Sequence, residues 1–285
     1  MEIVSRFAPS PTGRLHLGHA FSAVRAHDLA RDAGGRFLLR IEDIDGTRSR
    51  EAFVAGIEED LRWLGLHWDG PVMRQSRRMI TYAAALGQLK AMGLVYPCFC
   101  TRAEIAAASA SAPHGPEGSL YPGTCRALPD EARATRLAEP HCWRLDVARA
   151  VARTGPLTWH DDQKGWIRAE PLAQGDVVLA RKETPTSYHL SVTVDDAAQG
   201  VTDVVRGTDL FEATHIHRLL QALLGLPTPL YHHHGLLTGA DGKRLAKRNG
   251  ARPLADLRAE GADPAALLAA LRAGQLPVGV GTAEV

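Results

Sequence analysis

Two histidines near the start of the chain, His16 and His19 in the segment RFAPSPTGRLHLGH, have the type and spacing to handle phosphate. MEIVSRF predicts a strand, which the following prolines end because proline has no N–H for a sheet ladder. The segment from Gly18 predicts a helix that stops at Gly34 and Gly35. Both imidazoles therefore stand at a helix start, where free N–H groups and the helix dipole favour phosphate. Neither the GxGxxG nor the P-loop pattern is present, so we predict a different phosphate-handling loop.

A second candidate is the basic loop GKRLAKR at residues 242–248. Such a run of charges is usually a solvated turn, and taken alone this interpretation is favoured. Its glycines also permit motion, by which Lys247 could close over a pyrophosphate leaving group as a point charge. The histidine loop at the other end of the chain favours the phosphate interpretation.

Cysteines form the third candidate, since Cys98 and Cys100 form a tight Cys-x-Cys pair and Cys125 follows later in the same segment. Their thiolates suit Zn²⁺, whose structural sites are closed and four-coordinate. Four cysteines in a chain of this composition predict a metal site rather than a disulfide framework. The run at residues 232–234 is different, because three adjacent histidines on a strand alternate faces and cannot all bind one metal.

Composition limits the function classes. The 285 residues are 45% hydrophobic and 23% charged, with a net charge of +1, which is typical of a globular protein without a global basic field. Any nucleic-acid contact must therefore come from local patches. We find no apolar leader and no apolar run of membrane-spanning length, so we expect a cytoplasmic protein with no membrane partner.

The elements that position these residues predict an α/β fold. RFLLRIEDID predicts a second strand, with Glu42, Asp43 and Asp45 at its carboxyl end, where open α/β sheets bind ligands. Residues 49–64 and 76–93 predict helices, and WRLDV, DVVLARK and SYHLSVTVDDA predict strands. FEATHIHRLLQALLG predicts a helix, PLYHHHGLL a strand, and residues 263–273 a short helix. We divide the chain into a core (1–94), an insert (95–146) with a poorly ordered loop near 108–119, a second core half (147–275) and a disordered tail (276–285).

At this point the chain resembles a known family. RFAPSPTGRLHLGH resembles the HIGH signature region of the class I aminoacyl-tRNA synthetases, and RIEDID and WLGLHWDG resemble their glutamyl branch. RLAKR stands where that class carries its KMSKS loop, with Ala246 in place of the usual small hydroxyl residue. The resemblance runs from Arg6 to about Arg252. It implies a Rossmann-type catalytic core with an inserted zinc-binding, acceptor-type subdomain, which activates L-glutamate with ATP and Mg²⁺.

The resemblance also implies site residues. His16, His19 and Lys247 are the implied catalytic residues. Arg6 suits a carboxylate, because a guanidinium pairs with it bidentately, and Glu42 matches the acid that binds the substrate ammonium. The implied glutamate contacts are Arg6, Phe7, Ala8, Pro9, Ser10, Glu42, Tyr188 and Arg206. The implied ATP contacts are His16, Gly18, His19, Arg244, Leu245, Ala246, Lys247 and Arg248. Without the family, Tyr188 would be an ordinary strand aromatic and Arg206 part of a surface ion pair.

For the metal, the resemblance implies one structural Zn²⁺ per chain. The glutamyl family has a zinc-binding insert in which a tyrosine can supply the fourth ligand, so the implied set is Cys98, Cys100, Tyr121 and Cys125. His114 and Cys142 are rival ligands, since about twenty residues separate Cys100 from Tyr121.

The acceptor is predicted from length. A glutamyl-tRNA synthetase continues beyond the KMSKS-like loop into an anticodon-binding domain, and we expect none here. This favours a truncated paralogue that transfers glutamate to queuosine in the anticodon loop of tRNA(Asp), with no obligate protein partner. The alternatives are a minimal glutamyl-tRNA synthetase charging a tRNA 3′ end, a non-catalytic RNA-binding paralogue, and a small-molecule nucleotidyltransferase. Joint presence of the histidine pair, Lys247, Arg6 and Glu42 disfavours the non-catalytic alternative.

Overall fold

A computed structural model describes residues 2–101, 103–105, 114–115, 118–237 and 252–274. The predicted basic loop with Lys247, most of residues 108–119 with the side chain of His114, and the tail 276–285 lie outside these residues. The chain forms two compact units. Unit 1 comprises Met1–Arg77, Gly200–Leu210 and Pro229–Val285, and unit 2 comprises Arg78–Gln199 and Phe211–Thr228.

The described strands and helices have the following bounds. The strands are β1 (Val4–Phe7), β2 (Arg36–Ile41), β3 (Met73–Arg74), β4 (Val95–Cys98), β5 (His114–Gly115), β6 (Gly118–Ser119), β7 (Cys142–Leu145), β8 (Thr158–Asp161), β9 (Gly165–Arg168), β10 (Val178–Ala180), β11 (Asp203–Gly207) and β12 (Leu230–His234). The helices are α1 (Leu17–Asp32), α2 (Glu51–Trp63), α3 (Met79–Ala91), α4 (Asp130–Thr135), α5 (Val147–Thr154), α6 (Tyr188–Ala198), α7 (Ala213–Leu224), α8 (Leu254–Ala259) and α9 (Pro264–Arg272).

Unit 1 contains a parallel sheet in the order β3-β2-β1-β11-β12. From β1 the chain adds β2 and then β3 on one side. It later adds β11 and then β12 on the other side of β1. This is the doubly wound, Rossmann-type order, and it confirms the predicted α/β class. The order reverses between β1 and β11, so the carboxyl ends of these two strands are where such a sheet binds ligands.

Helix α1 packs on this sheet through small side chains. Ala20, Ala23, Ala26 and Ala30 are buried and bring the helix close to the strands. Behind the helix, a Cβ on Gly35 would collide with the carbonyl of Ile3, to which the N–H of Arg36 donates at 2.8 Å. Glycine is required there because the chain enters β2 directly against β1.

The C-terminal residues of unit 1 pack on the same helix. Sequence predicted α9 but missed α8, a six-residue helix that begins after Pro253. Leu254, Leu257, Leu267 and Leu271 are all buried in the core cluster that contains α1. The N–H of Leu254 donates to the carbonyl of Leu15 at 2.9 Å, so this segment is tied to the histidine loop.

Unit 2 contains an antiparallel sheet, β10-β7-β4, and a hairpin, β8–β9. The predicted insert, residues 95–146, lies within this unit. WRLDV and DVVLARK form strands as predicted, and FEATHIHRLLQALLG forms α7, which ends at Gly225 with a φ of +64°.

One predicted strand is wrong. SYHLSVTVDDA forms α6, in which seven consecutive residues from Leu190 to Asp196 are buried. A helix buried on all sides has no polar face, and its run of β-branched residues is therefore easily taken for a strand.

No helix in the described part of the chain is both long and apolar enough to cross a membrane.

Candidate active site and metal site

The two histidines of the HLGH motif complete the start of α1. His16 is the N-cap, and its Nδ1 accepts from the N–H of Gly18 at 3.1 Å. The Nδ1 of His19 accepts from the N–H of His16 at 3.2 Å, which completes a reciprocal capping box. The ring centroids are 3.8 Å apart. Because each Nδ1 accepts a hydrogen bond, the neutral rings carry their protons on Nε2, and both Nε2–H groups are donors.

Arg6 lies on β1, and Glu42 directly follows β2, the parallel strand beside it. Arg6 is buried opposite Leu38 in the register, and its Nη1 donates to the carbonyl of Val205 at 3.4 Å. The N–H of Glu42 donates to the carbonyl of Pro9 at 3.0 Å, so the segment after β1 is fixed against the end of β2. The structure therefore brings the segment Arg6–Ser10 and Glu42 to one edge of the sheet.

Glu42 also has a charged neighbour of its own. Arg40, which is fully buried, donates from Nη2 to Oε1 of Glu42 at 3.1 Å. A buried charge is costly unless it is paired. The ion pair with Arg40 therefore holds the Glu42 carboxylate at this position.

Arg206 lies on β11, which is the other neighbour of β1 in the sheet. It is buried, and its Nε donates to Nε2 of His233 at 3.1 Å, with the guanidinium 5.3 Å from the ring centre of Tyr231. The surface ion pair considered for this residue is thus wrong. A buried arginine near the carboxyl end of a central strand is suited to bind an anionic group.

Tyr188 is in unit 2 and is the first residue of α6. Its ring makes an edge contact with His217, with centroids 5.5 Å apart, and His189 Nδ1 lies 3.2 Å from His217 Nε2. The strand position considered for Tyr188 is wrong for the reason given for α6, and sequence reasoning did not single out the two histidines beside it.

Asp43 and Asp45, the other acids at the carboxyl end of β2, have internal partners. Asp43 accepts from both the N–H and the hydroxyl of Ser76 at 2.7 Å, and from Arg74 at 3.1 Å. Hydrogen bonds from Thr47 and Arg48 lower the pKa of Asp45 to about 2. These contacts organise the backbone around the sheet edge.

Unit 2 also contains a fully buried carboxylate, that of Asp195. Asp195 is fully buried in α6 and accepts from Arg78 Nε and Tyr82 Oη, each at 2.6 Å. These bonds tie the helix that begins with Tyr188 to α3. An acidic pair inside an apolar stretch, VTVDD, was the signal available in the sequence.

The cysteine cluster is also in unit 2. The Sγ atoms of Cys98, Cys100 and Cys125 all lie within 4.8 Å of one another, and two of them are 3.5 Å apart. Sulfurs bound tetrahedrally to one Zn²⁺ at about 2.3 Å are about 3.8 Å apart, so the cluster fits such an ion. Tyr121 Oη lies 3.7 Å from Cys100 Sγ and accepts from the N–H of Cys125 at 2.8 Å.

The surroundings favour thiolate at one position of the cluster. Hydrogen bonds from Cys142, Tyr121 and Arg144 lower the pKa of the Cys98 thiol to about 4, whereas burial raises that of Cys100 to about 11. Cys142 lies opposite Cys98 in the β4–β7 pair but is not part of the three-sulfur group. The described residues thus offer three sulfurs and an adjacent phenol oxygen to a metal ion.

The three histidines of β12 have separate partners. His232 contacts Asp203 at 2.8 Å, His233 contacts Arg206, and His234 Nε2 lies 2.9 Å from the hydroxyl of Ser22. This agrees with the expectation that they do not share a metal.

Comparison with known proteins identifies the family of the chain. Residues 2–279 match the family model described as the catalytic domain of the class I tRNA synthetases (E and Q), and the chain belongs to that family. It is therefore a ligase.

Particular relatives are more specific. A protein of Rhodobacter capsulatus named Glutamyl-Q tRNA(Asp) synthetase is 56% identical over 92% of this chain and 97% of its own length. A Symbiobacterium thermophilum protein of the same name is 46% identical over 92% of this chain and 83% of its own length.

Solved structures show the same fold. A glutamate tRNA ligase from Elizabethkingia meningosepticum, crystallised with its amino acid, superposes with a TM-score of 0.73 at 29% identity, covering 88% of this chain and 53% of the other. Glutamate-tRNA synthetase from Elizabethkingia anophelis gives a TM-score of 0.75 with the same identity and coverage. The chain thus spans about half the length of these enzymes.

Proposed function

We propose that this protein activates L-glutamate with ATP and transfers it to queuosine in the anticodon loop of tRNA(Asp). The observation that carries the proposal is the 56% identity to a Glutamyl-Q tRNA(Asp) synthetase over 97% of that relative's length. The proposal is supported by the backbone contact that brings the segment after Arg6 to Glu42 at one edge of the parallel sheet, and by the two histidines that cap α1.

Recognition of glutamate is assigned to charge pairing. The guanidinium of Arg6 would pair with the side-chain carboxylate, and the carboxylate of Glu42 with the ammonium group. An amide in place of the side-chain carboxylate would leave the buried Arg6 without its anion, which predicts strong rejection of glutamine. Tyr188 and Arg206 are proposed as the remaining contacts.

Activation is a displacement at phosphorus. An oxygen of the glutamate α-carboxylate attacks the α-phosphorus of ATP, the bond to the β-phosphate bridging oxygen breaks, and pyrophosphate leaves with that electron pair. The Nε2–H groups of His16 and His19 donate where negative charge grows, and Lys247 supplies a point charge to the leaving group. Mg²⁺, bound with ATP, supplies further neutralisation of phosphate charge.

Transfer uses the mixed anhydride formed in the first step. A hydroxyl oxygen on the cyclopentene ring of queuosine attacks the glutamyl carbonyl carbon and loses its proton, and AMP leaves with the electrons of the broken C–O bond. The anhydride has a good leaving group, so positioning of the hydroxyl determines which acceptor reacts.

For the metal, we propose a structural Zn²⁺ held by Cys98, Cys100 and Cys125, with Tyr121 as the fourth ligand. The ion would cross-link the start of the proposed insert, residues 95–146, to its middle. A closed site of this kind takes no part in the chemistry of activation.

The test is transfer of labelled glutamate to tRNA(Asp) with and without queuosine. Each tRNA is also prepared without its terminal adenosine, which removes the 3′ acceptor and leaves the anticodon intact. We expect labelling that requires queuosine, persists on the shortened tRNA and maps to the anticodon fragment after nuclease cleavage. Label that disappears with the terminal adenosine, or equal charging of unmodified tRNA(Glu), would favour the minimal glutamyl-tRNA synthetase instead.

A further inference from the structure

The hairpin β8–β9 of unit 2 carries an indole that is largely open to solvent. Its side chains alternate: Trp159 and Asp161 are fully buried, whereas Trp166 on the second strand is 75% exposed. Tryptophan has a large apolar surface, and the same hairpin buries its other tryptophan completely. The exposure of Trp166 therefore comes from its side of the hairpin, which faces away from the core.

The exposed ring is held in place from across the hairpin. His160 lies directly opposite Trp166 in the register, and the two rings meet edge to face, with centroids 5.1 Å apart and planes at 82°. A cross-strand pair of this kind restricts the indole before any ligand arrives, so less side-chain freedom is lost on binding.

Cationic side chains accompany the ring. Arg168 follows Trp166 by two residues, so it points to the same side of the strand at a distance of about 6.7 Å along the backbone. The side chain of Arg168 is exposed and makes no hydrogen bond or ion pair within the residues that the structure describes. A second guanidinium, that of Arg218, donates to the carbonyl of Thr158, the residue paired with Arg168.

Two other charged residues of the hairpin, Asp161 and Lys164, have partners inside the protein. Buried Asp161 accepts from the N–H groups of Gln163 and Lys164, and the Lys164 ammonium lies 3.9 Å from the ring centre of Phe211. Glu170 follows after the strand has ended, and its N–H donates to His215. We define the hairpin face as Thr158, His160, Trp166 and Arg168. It thus presents a solvent-exposed indole and, beside it, an arginine side chain without an internal partner among the described residues.

We propose that this hairpin face is an RNA contact, in which Trp166 stacks on an unpaired nucleobase of the tRNA and Arg168 pairs with a neighbouring phosphate. Successive phosphates and bases of a single strand are spaced at about the distance between these two side chains, and aromatic side chains are the usual stacking partners of unpaired bases. The free positive charge favours a polyanion over an apolar protein surface. The inference rests on the proposed function only in taking tRNA as the partner.

The test compares Trp166→Ala, Trp166→Phe and Arg168→Ala with Ile80→Ala, which removes another exposed apolar side chain, 88% accessible, from α3 of the same unit. Binding to queuosine-containing tRNA(Asp) is measured at several salt concentrations, and glutamate-dependent exchange of pyrophosphate into ATP is measured on the same preparations. We expect Trp166→Ala to weaken binding about 5- to 100-fold and Trp166→Phe to retain most of the affinity. Arg168→Ala should weaken binding and reduce the salt slope by about one. Exchange should match wild type in all four variants.

Two results would overturn the inference: binding by Trp166→Ala equal to that of Ile80→Ala, or a loss that phenylalanine does not restore. Binding by Trp166→Ala equal to that of Ile80→Ala is the result expected if this face binds a protein rather than RNA. A loss that phenylalanine does not restore would mean that the indole does not act by stacking. Failure of the proposed function is distinguishable, because wild type would then bind tRNA through Trp166 without transferring glutamate to queuosine.

Discussion

In the proposed activation step, His16 and His19 serve the fold with one ring nitrogen and the chemistry with the other. Each Nδ1 accepts a backbone N–H at the start of α1, which fixes ring orientation and tautomer and leaves Nε2–H as a donor. The motif thus holds its Nε2–H donors in place before the proposed binding of ATP, and such preorganisation is what makes electrostatic stabilisation effective.

This division of roles predicts that the two functions of His16 can be separated. Asparagine keeps an N-cap acceptor near the position of Nδ1 but has no counterpart of Nε2, whereas alanine removes both. We expect His16→Asn and His16→Ala to lower kcat for pyrophosphate exchange alike, by about 100- to 1,000-fold. Only His16→Ala should also lower the free energy of unfolding, by about 1 kcal/mol in urea titration. Equal loss of stability in the two variants would contradict the capping role.

Lys247 lies outside the described residues, so its role stays a prediction from sequence. Because its charge is needed where phosphate charge develops, Lys247→Ala should lower kcat by about 100-fold or more and change the KM for glutamate little. Lys243→Ala removes a lysine from the same basic loop and is the control. If both variants keep the wild-type kcat, the loop is only a solvated turn.

Helices with one buried face were predictable from the sequence, whereas α6 was not. In α1 and α2, apolar residues recur with the helical period and each helix ends near a glycine, so these local signals sufficed. In α6 the burial extends through Ser191, Thr193, Asp195 and Asp196, which removes the period. Its identity depends on tertiary partners such as Arg78 and Tyr82, which no local pattern contains.

The ion pair between α2 and α8 is another tertiary contact that no local sequence pattern contains, and it has a measurable consequence. Asp60 on α2 is 1% exposed and accepts from Arg258 of α8 at 2.9 Å. Burial raises the pKa of this carboxyl to about 6, although Arg258 opposes the rise. Sequence reasoning missed α8 and therefore could not anticipate this pair.

The free energy of unfolding should accordingly fall as the pH rises towards the raised pKa of Asp60. With a folded pKa of about 6 and an unfolded pKa near 3.8, the folded protein binds the proton more tightly, so ionisation destabilises the fold between about pH 4 and 6. One pKa unit is about 1.4 kcal/mol, so the contribution is at most about 3 kcal/mol and is constant above pH 6.

The comparison is wild type against Asp60→Asn by urea unfolding at pH 4.5, 5.5 and 7. The asparagine variant lacks this titration, so its stability relative to wild type should increase from pH 4.5 to 7. A difference between the two proteins that does not change with pH would show that Asp60 titrates normally.

At the scale of the whole molecule, most of the residues proposed for activation belong to unit 1, whereas the cysteine cluster belongs to unit 2. Arg6, His16, His19, Glu42 and Arg206 are in unit 1, whereas the three thiols are in unit 2 together with Tyr188. The sequence anticipated the separation of the cysteines from the histidine loop, because both motifs are local. It could not anticipate the extent of unit 2, since residues 211–228 join it from a distant part of the chain.

This separation predicts that metal loss affects transfer more than activation. Freshly purified protein should contain about one zinc per chain, and Cys98→Ser and Cys125→Ser should lose it. Cys142→Ser is the matched control, because Cys142 faces Cys98 across the β4–β7 pair but lies outside the three-sulfur group. It should therefore keep its zinc, which metal analysis and the thiolate absorption of a Co²⁺-substituted protein would both report.

The functional readout follows from the position of the proposed metal site in unit 2. Without the cross-link, the strand that begins the insert loses its tie to Cys125, whereas the sheet edge that carries Arg6 and Glu42 keeps all of its own contacts. Cys98→Ser should thus reduce glutamate transfer to queuosine-containing tRNA(Asp) by a larger factor than pyrophosphate exchange. Equal reduction of both reactions would mean that the metal supports the activation site as well. Zinc-free wild-type protein with full transfer activity would contradict the proposed metal site, because a thiolate site that is never filled cannot stabilise the unit that contains it.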